Sequence, residues 1–298
     1  MKPFFIVGPT ASGKSEIAAE VAARCGAEVV GADAFQIYRE LSRLTAQPDA
    51  STLSRVPHHL VAALPPTEEM SAARFRDLAT AAIDEIHGRG KPAIVAGGSG
   101  LYVRALTDGL SPLPATDLKL RDTLDQFSLK ELNLRLRLLD AKTASTVDQN
   151  NKRRVLRAVE ICLLTGKPVS EQRSLPKPTA ANGIFVFRDR DDLYRRINLR
   201  VEQMFADGVV EEVRALGALS RTAEQTLGLR EIRQVLVGKL TEAECISAIQ
   251  QQTRRYAKRQ LTWFRRQSSF EPLNLSDRTA AAAIEWITRQ ARLSFAHD

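Results

Sequence analysis

Gly8-Pro9-Thr10-Ala11-Ser12-Gly13-Lys14-Ser15 fits the pattern G-x-x-x-x-G-K-[ST] at every position. Its glycines let backbone N–H groups turn toward phosphate oxygens, Lys14 adds a positive charge, and the Ser15 hydroxyl is placed to hold Mg²⁺. The pattern leaves open which phosphorylated compound sits there. Two further residues fall in the same crevice if the chain builds an open parallel sheet. Asp33 follows the apolar run 28–31, and Ser99 sits in the turn Gly97-Gly98-Ser99-Gly100 after the run 93–96. Ligands of such sheets bind beyond the carboxyl ends of the strands. A carboxylate there can take a proton, hydrogen-bond a substrate or act through water on a metal ion. The bland alternatives are a helix N-cap for Asp33 and a flexible turn for Ser99.

The elements that must position these residues are legible from periodicity. Phe4-Phe5-Ile6-Val7 reads as a buried strand entering the glycine-rich loop, and apolar residues at helical spacing from 16 to 25 follow it. Residues 72–87 carry Phe75, Leu78, Ala79, Ala82, Ile83 and Ile86 on one helical face. Strands joined by helices imply a parallel sheet, so the fold class is α/β: a P-loop core with a parallel β-sheet flanked by helices. After Gly109 the texture changes. Ser111-Pro112-Leu113-Pro114 and Leu175-Pro176-Lys177-Pro178 read as linkers, with helices between them at 118–127, 129–139 and 153–164. The expected organisation is a core in two parts, 1–111 and 181–298, interrupted by a smaller all-helical insertion domain at 112–180. In the second part of the core, 183–187 reads as a strand, 193–205 and 209–219 as helices, 242–266 as a basic helix and 272–275 as a last strand before a terminal helix.

With 298 residues, 44% of them hydrophobic and 26% charged, the chain is long enough for such a core. No apolar run reaches the roughly 18 to 20 residues of a bilayer span, and 4–7 is too short for a signal segment. The expectation is a cytoplasmic protein without membrane attachment. Three scattered cysteines and four histidines form no metal-binding spacing. Residues 1–110 hold 11 Lys/Arg against 12 Asp/Glu, whereas the chain as a whole holds 43 against 35, so all the positive excess lies after residue 110. It concentrates in Lys152, Arg153, Arg154 and Arg157 and in Arg254, Arg255, Lys258, Arg259, Arg265 and Arg266. Either cluster alone reads as a solvated helix face; two together point to a nucleic acid. Tyr256, Trp263 and Phe264, interleaved with the second cluster, are expected to be core anchors rather than stacking platforms.

These segments together resemble the tRNA dimethylallyltransferases, the tRNA isopentenyltransferases of the MiaA type. The resemblance covers nearly the whole chain. It rests on Gly8 to Ser15, Ala32-Asp33-Ala34-Phe35-Gln36-Ile37-Tyr38-Arg39, Pro57-His58-His59-Leu60, Ser71-Ala72-Ala73-Arg74-Phe75, Gly97 to Tyr102, Arg154-Val155-Leu156-Arg157-Ala158-Val159-Glu160, Thr165-Gly166-Lys167-Pro168 and Thr253 to Arg265, in the family's order. It implies transfer of a dimethylallyl group from dimethylallyl diphosphate to N6 of the adenosine at position 37, beside the anticodon, with Mg²⁺ as cofactor. The tRNA anticodon stem-loop and dimethylallyl diphosphate are the implied partners of a monomeric enzyme. Gly8, Pro9, Thr10, Ala11, Ser12, Gly13, Lys14 and Ser15 would then hold the diphosphate, with Ser15 on the metal and Arg230 and Arg254 as further diphosphate or tRNA contacts. By the same resemblance Asp33 is the general base, Ser99 orients the amine, and the tRNA-contact segments are Asp33, Ala34, Phe35 and Gln36 and Arg153, Arg154, Val155, Leu156 and Arg157.

Departures from the family pattern are local. Ser99 stands where the family usually has Thr, Ala34-Phe35 replaces a more polar pair, Leu229 replaces a usual Tyr, and Asp148-Gln149-Asn150-Asn151 replaces His-Pro-Asn-Asp. Asp33 and Gln36 are kept, so these changes are read as altered contacts or packing. The competing readings are a P-loop small-molecule kinase, which leaves the basic insertion without a purpose, and an RNA-dependent NTPase, which leaves Asp33 and Ser99 without one.

Overall fold

The fold is that of a computed structural model, which describes residues 1–172 and 181–296. Short runs of β-branched and aromatic residues with both faces covered make parallel strands. Among the described residues six are formed: β1 (Phe4–Val7), β2 (Glu28–Gly31), β3 (His58–His59), β4 (Ala93–Gly97), β5 (Gly183–Phe187) and β6 (Glu271–Asn274). They pair in parallel throughout, in the order β3-β2-β4-β1-β5-β6. The strand β3 has no counterpart in the sequence reading, because two half-buried histidines at a sheet edge carry no periodicity.

The sheet divides the core in two. On one face Phe75, Tyr102, Phe185 and Phe264 pack together; on the other Ile17, Val21, Ile287 and Ala291 do. The first glycine-rich turn opens the helix Lys14–Cys25, and Ser71 caps the helix Ala72–Gly88 by accepting from the Arg74 amide. The basic helix runs over Glu242–Gln267 from a capping box made by Thr241 and Glu244. The helix expected over 209–219 stops at Arg214, and Leu216 and Leu219 still pack on the core from the loop around Gly217, a poor helix former.

At the amino end of β2, Glu28 is 3% exposed and closed in by nitrogen groups: His59 Nε2 and Arg89 Nη2 lie 2.8 Å and 2.7 Å from Oε2, and Lys91 Nζ lies 3.0 Å from Oε1. Burial pushes this carboxyl up, and hydrogen bonds from His59, Lys91 and Arg89 more than offset that, holding it down to about 2.

The chain separates into two compact units, Met1–Thr107 with Thr179–Asp298, and Asp108–Pro178. The bounds inferred from the sequence were 112 and 180; the linker expected at 175–178 lies outside the described residues. The second unit is helical and has its own core, in which Leu124, Leu132, Leu136, Val155 and Val159 are fully buried. Glu160, with no exposed side-chain surface, is satisfied inside it by Arg121 and Arg157, each at 2.7 Å. Among the described residues, no helix is long and apolar enough to cross a membrane.

Candidate active site

Ala11 at φ 62° and Gly13 at φ 92° turn successive amides of the P-loop into one concavity. Gly13 caps the following helix without any side-chain bond, so its first amides are open to an anion. Lys14 is only 7% exposed and donates to the Pro9 carbonyl at 3.4 Å. Burial pulls its ammonium down to about 8, with Asp33 opposing that and Arg200 adding to it. Ser15 is half-buried on the same first turn.

Asp33 lies two residues beyond β2. Its Oδ1 accepts from the amides of Phe35 and Gln36 at 3.0 Å and 3.3 Å, which makes the segment after it a turn rather than the start of a helix. Among the described residues Oδ2 has no hydrogen bond. The turn is held from the other side by Ser99, whose Oγ accepts from the Ala34 amide at 2.9 Å. Gln36 donates to the Thr45 and Ala46 carbonyls, bringing the 44–47 loop over the crevice.

Two helices wall the cleft. The helix Arg190–Ala206 presents Arg196 to the Ala11 carbonyl at 3.0 Å and, one turn later, Arg200 to Thr10 Oγ1 at 2.9 Å and the Thr45 carbonyl at 3.1 Å. Arg188, just before it, donates to the Ser12 carbonyl at 2.9 Å. Burial lowers the pKa of Arg200, opposed by the charge of Asp33. The helix Glu242–Gln267 runs antiparallel to it, paired through Arg254 to Asn198 at 2.7 Å and Gln250 to Glu202 at 3.1 Å. Gln260 is 5% exposed and bridges the two loops of the site: its Oε1 accepts from the Thr10 amide at 2.9 Å and its Nε2 donates to the Gly98 carbonyl at 2.8 Å. A side chain at Gly98 would collide with that amide, and one at Gly100 with the Trp263 ring. One turn before Gln260, the Tyr256 phenol reaches Ser99 and Gln260; burial, then the charge of Asp33, push its pKa up and keep it a donor.

The resulting cleft is lined by polar Thr10, Lys14, Asp33, Gln36, Thr45, Arg200, Thr226 and Thr253 together with aliphatic Leu44, Ile197, Val201, Met204, Leu227 and Ile249. Such a shape accepts a molecule with a phosphate head and a short apolar tail.

Of the residues singled out from the sequence, the P-loop, Asp33, Phe35, Gln36 and Ser99 come together here. Arg230 does not: it is exposed and lines a separate depression with Arg233 and Lys239. Arg254 reaches the cleft's outer wall, its guanidinium bonded to Asn198 and 5.8 Å from the Tyr194 ring centre. In the insertion, Arg153 and Arg154 are exposed, but Val155 and Leu156 are 0% and 5% exposed in the helical core, which removes their side chains from any RNA surface. Arg157 is held by Glu160 and the Pro114 carbonyl. On the basic helix Phe264 is a core anchor stacked on Phe185, as the sequence suggested, whereas Tyr256 faces the cleft. Arg188, Arg196, Arg200 and Gln260 were not read from the sequence. Arg196 and Arg200, spaced i, i+4 beside the buried stripe Leu193, Ile197, Val201 and Met204, were the available signal.

A parallel sheet with a P-loop, a carboxylate and a hydroxyl at the carboxyl ends of neighbouring strands defines a P-loop enzyme of the α/β class. The model of the IPP transferase family matches residues 36–267, and the chain belongs to that family. It is 45% identical over 272 residues to tRNA dimethylallyltransferase 1 of Citrifermentans bemidjiense, covering 89% of each chain, and 42% identical to the tRNA dimethylallyltransferase of Akkermansia muciniphila, covering 94% of this chain and 96% of that one. Among solved structures it is similar to the full-length tRNA isopentenylpyrophosphate transferase of Bacillus halodurans (TM-score 0.70, 32% identity, 100% and 99% covered). It is also similar to a eukaryotic dimethylallyltransferase captured acting on tRNA (TM-score 0.79, 26% identity, 100% and 79% covered).

Proposed function

We propose that this enzyme transfers a dimethylallyl group from dimethylallyl diphosphate to N6 of adenosine 37 of tRNA. The observation that carries the reading is one cleft lined by Lys14, Arg200 and Asp33 together with the aliphatic side chains of Leu44, Val201, Met204 and Ile249. The open P-loop amides, Lys14 and Arg200 hold the diphosphate. As the amine attacks, its nitrogen lone pair forms the bond to the allylic carbon. The carbon–oxygen bond breaks with its electron pair leaving on the diphosphate, and the N6 proton passes to Asp33. An exocyclic amine is a weak nucleophile, so a positioned base matters. The two backbone bonds to Oδ1 fix the Asp33 carboxyl and leave Oδ2 for that proton. Ser99 holds the same turn in place through the Ala34 amide and keeps its own proton for the substrate.

The donor set fits Mg²⁺ of a particular kind. Among the described residues no group of three or more His, Cys, Asp or Glu is placed to hold a metal, whereas Mg²⁺ is bound readily by one hydroxyl, water and substrate phosphates. Ser15 would hold it, with Asp33 through water, and it would neutralise charge on the leaving diphosphate. Arg153 and Arg154 of the insertion and the exposed Arg255, Lys258 and Arg259 are assigned to tRNA phosphates.

The test incubates the protein with unmodified tRNA, Mg²⁺ and either labelled dimethylallyl diphosphate or labelled ATP. Label in tRNA with release of diphosphate and no ADP is expected. ADP without prenyl label would turn the assignment to a kinase or an RNA-dependent NTPase.

A further inference from the structure

Beyond Arg200 the cleft has a definite floor. The helix Arg190–Ala206 acts as a ruler along it: Arg196 meets the P-loop at Ala11, Arg200 meets it at Thr10, and Met204 lies one turn, about 6 Å, farther on. On the facing helix Tyr256 stands beside Ser99, and Ile249 lies two turns toward the same far end. There Gly228, at φ 88°, brings its backbone against both walls: a Cβ on it would sit 2.9 Å from Ile249 Cδ1 and 3.2 Å from Leu44 Cδ1. Ile249, Leu44 and Met204 are 2%, 5% and 8% exposed, so the floor is packed protein and not an opening to solvent.

From this geometry we infer that Leu44, Met204 and Ile249, closed by the Gly228 backbone, set the length of the prenyl donor at one five-carbon unit. The inference rests on the allylic diphosphate reading of the site and deepens it to a chain-length specificity. A five-carbon branched tail fills the turn between Arg200 and Met204; the next isoprene unit of a longer allylic diphosphate runs into the three side chains. Shortening any one of them opens space in line with the tail. Phe35 and Tyr256, beside Asp33 and Ser99, leave the length unaffected.

The experiment offers equal amounts of dimethylallyl and geranyl diphosphate to the protein with unmodified tRNA and reads the five- and ten-carbon products by mass. The wild type is expected to give the five-carbon product alone. Met204→Ala and Ile249→Val are expected to yield a ten-carbon product about tenfold or more above the background set by the wild type, the scale of methylene discrimination in apolar pockets. Ile249→Val removes one methyl and is chosen for retention of the fold. Ile287→Val, the same change on the opposite face of the sheet, is expected to leave the ratio where it was. A ratio unmoved in variants that still use dimethylallyl diphosphate overturns the inference, as does a wild type that accepts both donors. A wild type that transfers neither group sinks the prenyl-transfer reading itself, a distinct outcome.

Discussion

Strand β2 has an acidic residue at each of its ends, and the two are handled in opposite ways. Glu28, at the amino end, faces His59, Arg89 and Lys91 within 3.0 Å, so its charge is spent inside the fold. Asp33, beyond the carboxyl end, has one oxygen fixed by backbone amides and the other open to a cleft lined by the buried Lys14 and the half-buried Arg200. At the first site the protein supplies both halves of every ion pair. At the second two cations face one carboxylate, which leaves a net positive charge. Buried groups with shifted pKa values therefore separate into stability and function by whether the counter-charge is covalently part of the chain.

Substitutions should keep these two ends apart. The largest effect is expected for Asp33→Asn, which preserves the acceptor for the Phe35 and Gln36 amides and removes the base. Single-turnover prenyl transfer should fall about 10²- to 10⁴-fold, with tRNA affinity and the thermal midpoint close to wild type. Lys14→Met should lower kcat/KM about a hundredfold yet raise the denaturation midpoint at pH 7, because it removes a charge that burial penalises. That penalty belongs to the wild type below about pH 8, where the buried lysine is charged. It is relieved as pH rises from there toward the ordinary value of 10.5, since the unfolded chain then binds the extra proton; the urea midpoints of wild type and Lys14→Met should differ at pH 7 and draw together by pH 10.

Glu28→Gln should do the reverse. Transfer per folded molecule should stay within about twofold, and stability at pH 7 should drop by about 2 kcal/mol, a modest figure because Arg89 and Lys91 extend into solvent. The folded carboxyl is held at about 2 against an ordinary 4.5, so its contribution is present above pH 4.5 and lost as pH falls toward 2. The wild type and Glu28→Gln should accordingly draw together in urea titrations at low pH. The smallest effect sharpens the RNA side: Arg153→Ala and Arg154→Ala should each weaken tRNA binding a few-fold and reduce its salt slope by about one. Equal loss from Val155→Ala would have to come through the insertion's core, and would be accompanied by a lower melting midpoint.

The candidate site was readable because its residues are written in contiguous segments. The P-loop is eight consecutive residues, and Asp33 and Ser99 each follow an apolar run whose length marks it as a strand. What the sequence hid depends on contacts across long separations. Gln260 bonds a P-loop residue 250 positions away, and Arg200 one 190 positions away; neither spacing leaves a pattern in the chain. In the segment 153–157, helical periodicity turns the apolar Val155 and Leu156 inward and leaves Arg153 and Arg154 outside. Arg230 sits in a motif, but its helix, Leu229–Leu236, turns that side chain out of the cleft, which leaves it on the surface beside Arg233 and Lys239. The edge strand β3 was too short to announce itself.

The central claim is that the buried positive charge at the carboxyl end of β2 exists for a diphosphate. Calorimetric titration of inorganic diphosphate with Mg²⁺ into wild type, Lys14→Met and Glu28→Gln, at pH 7 and again at pH 9, tests it most directly. The account predicts that wild type and Glu28→Gln bind alike, that both bind more tightly than Lys14→Met at pH 7, and that this advantage shrinks by pH 9 as Lys14 loses its proton. Equal affinity for wild type and Lys14→Met at pH 7, or a loss confined to Glu28→Gln, would contradict it.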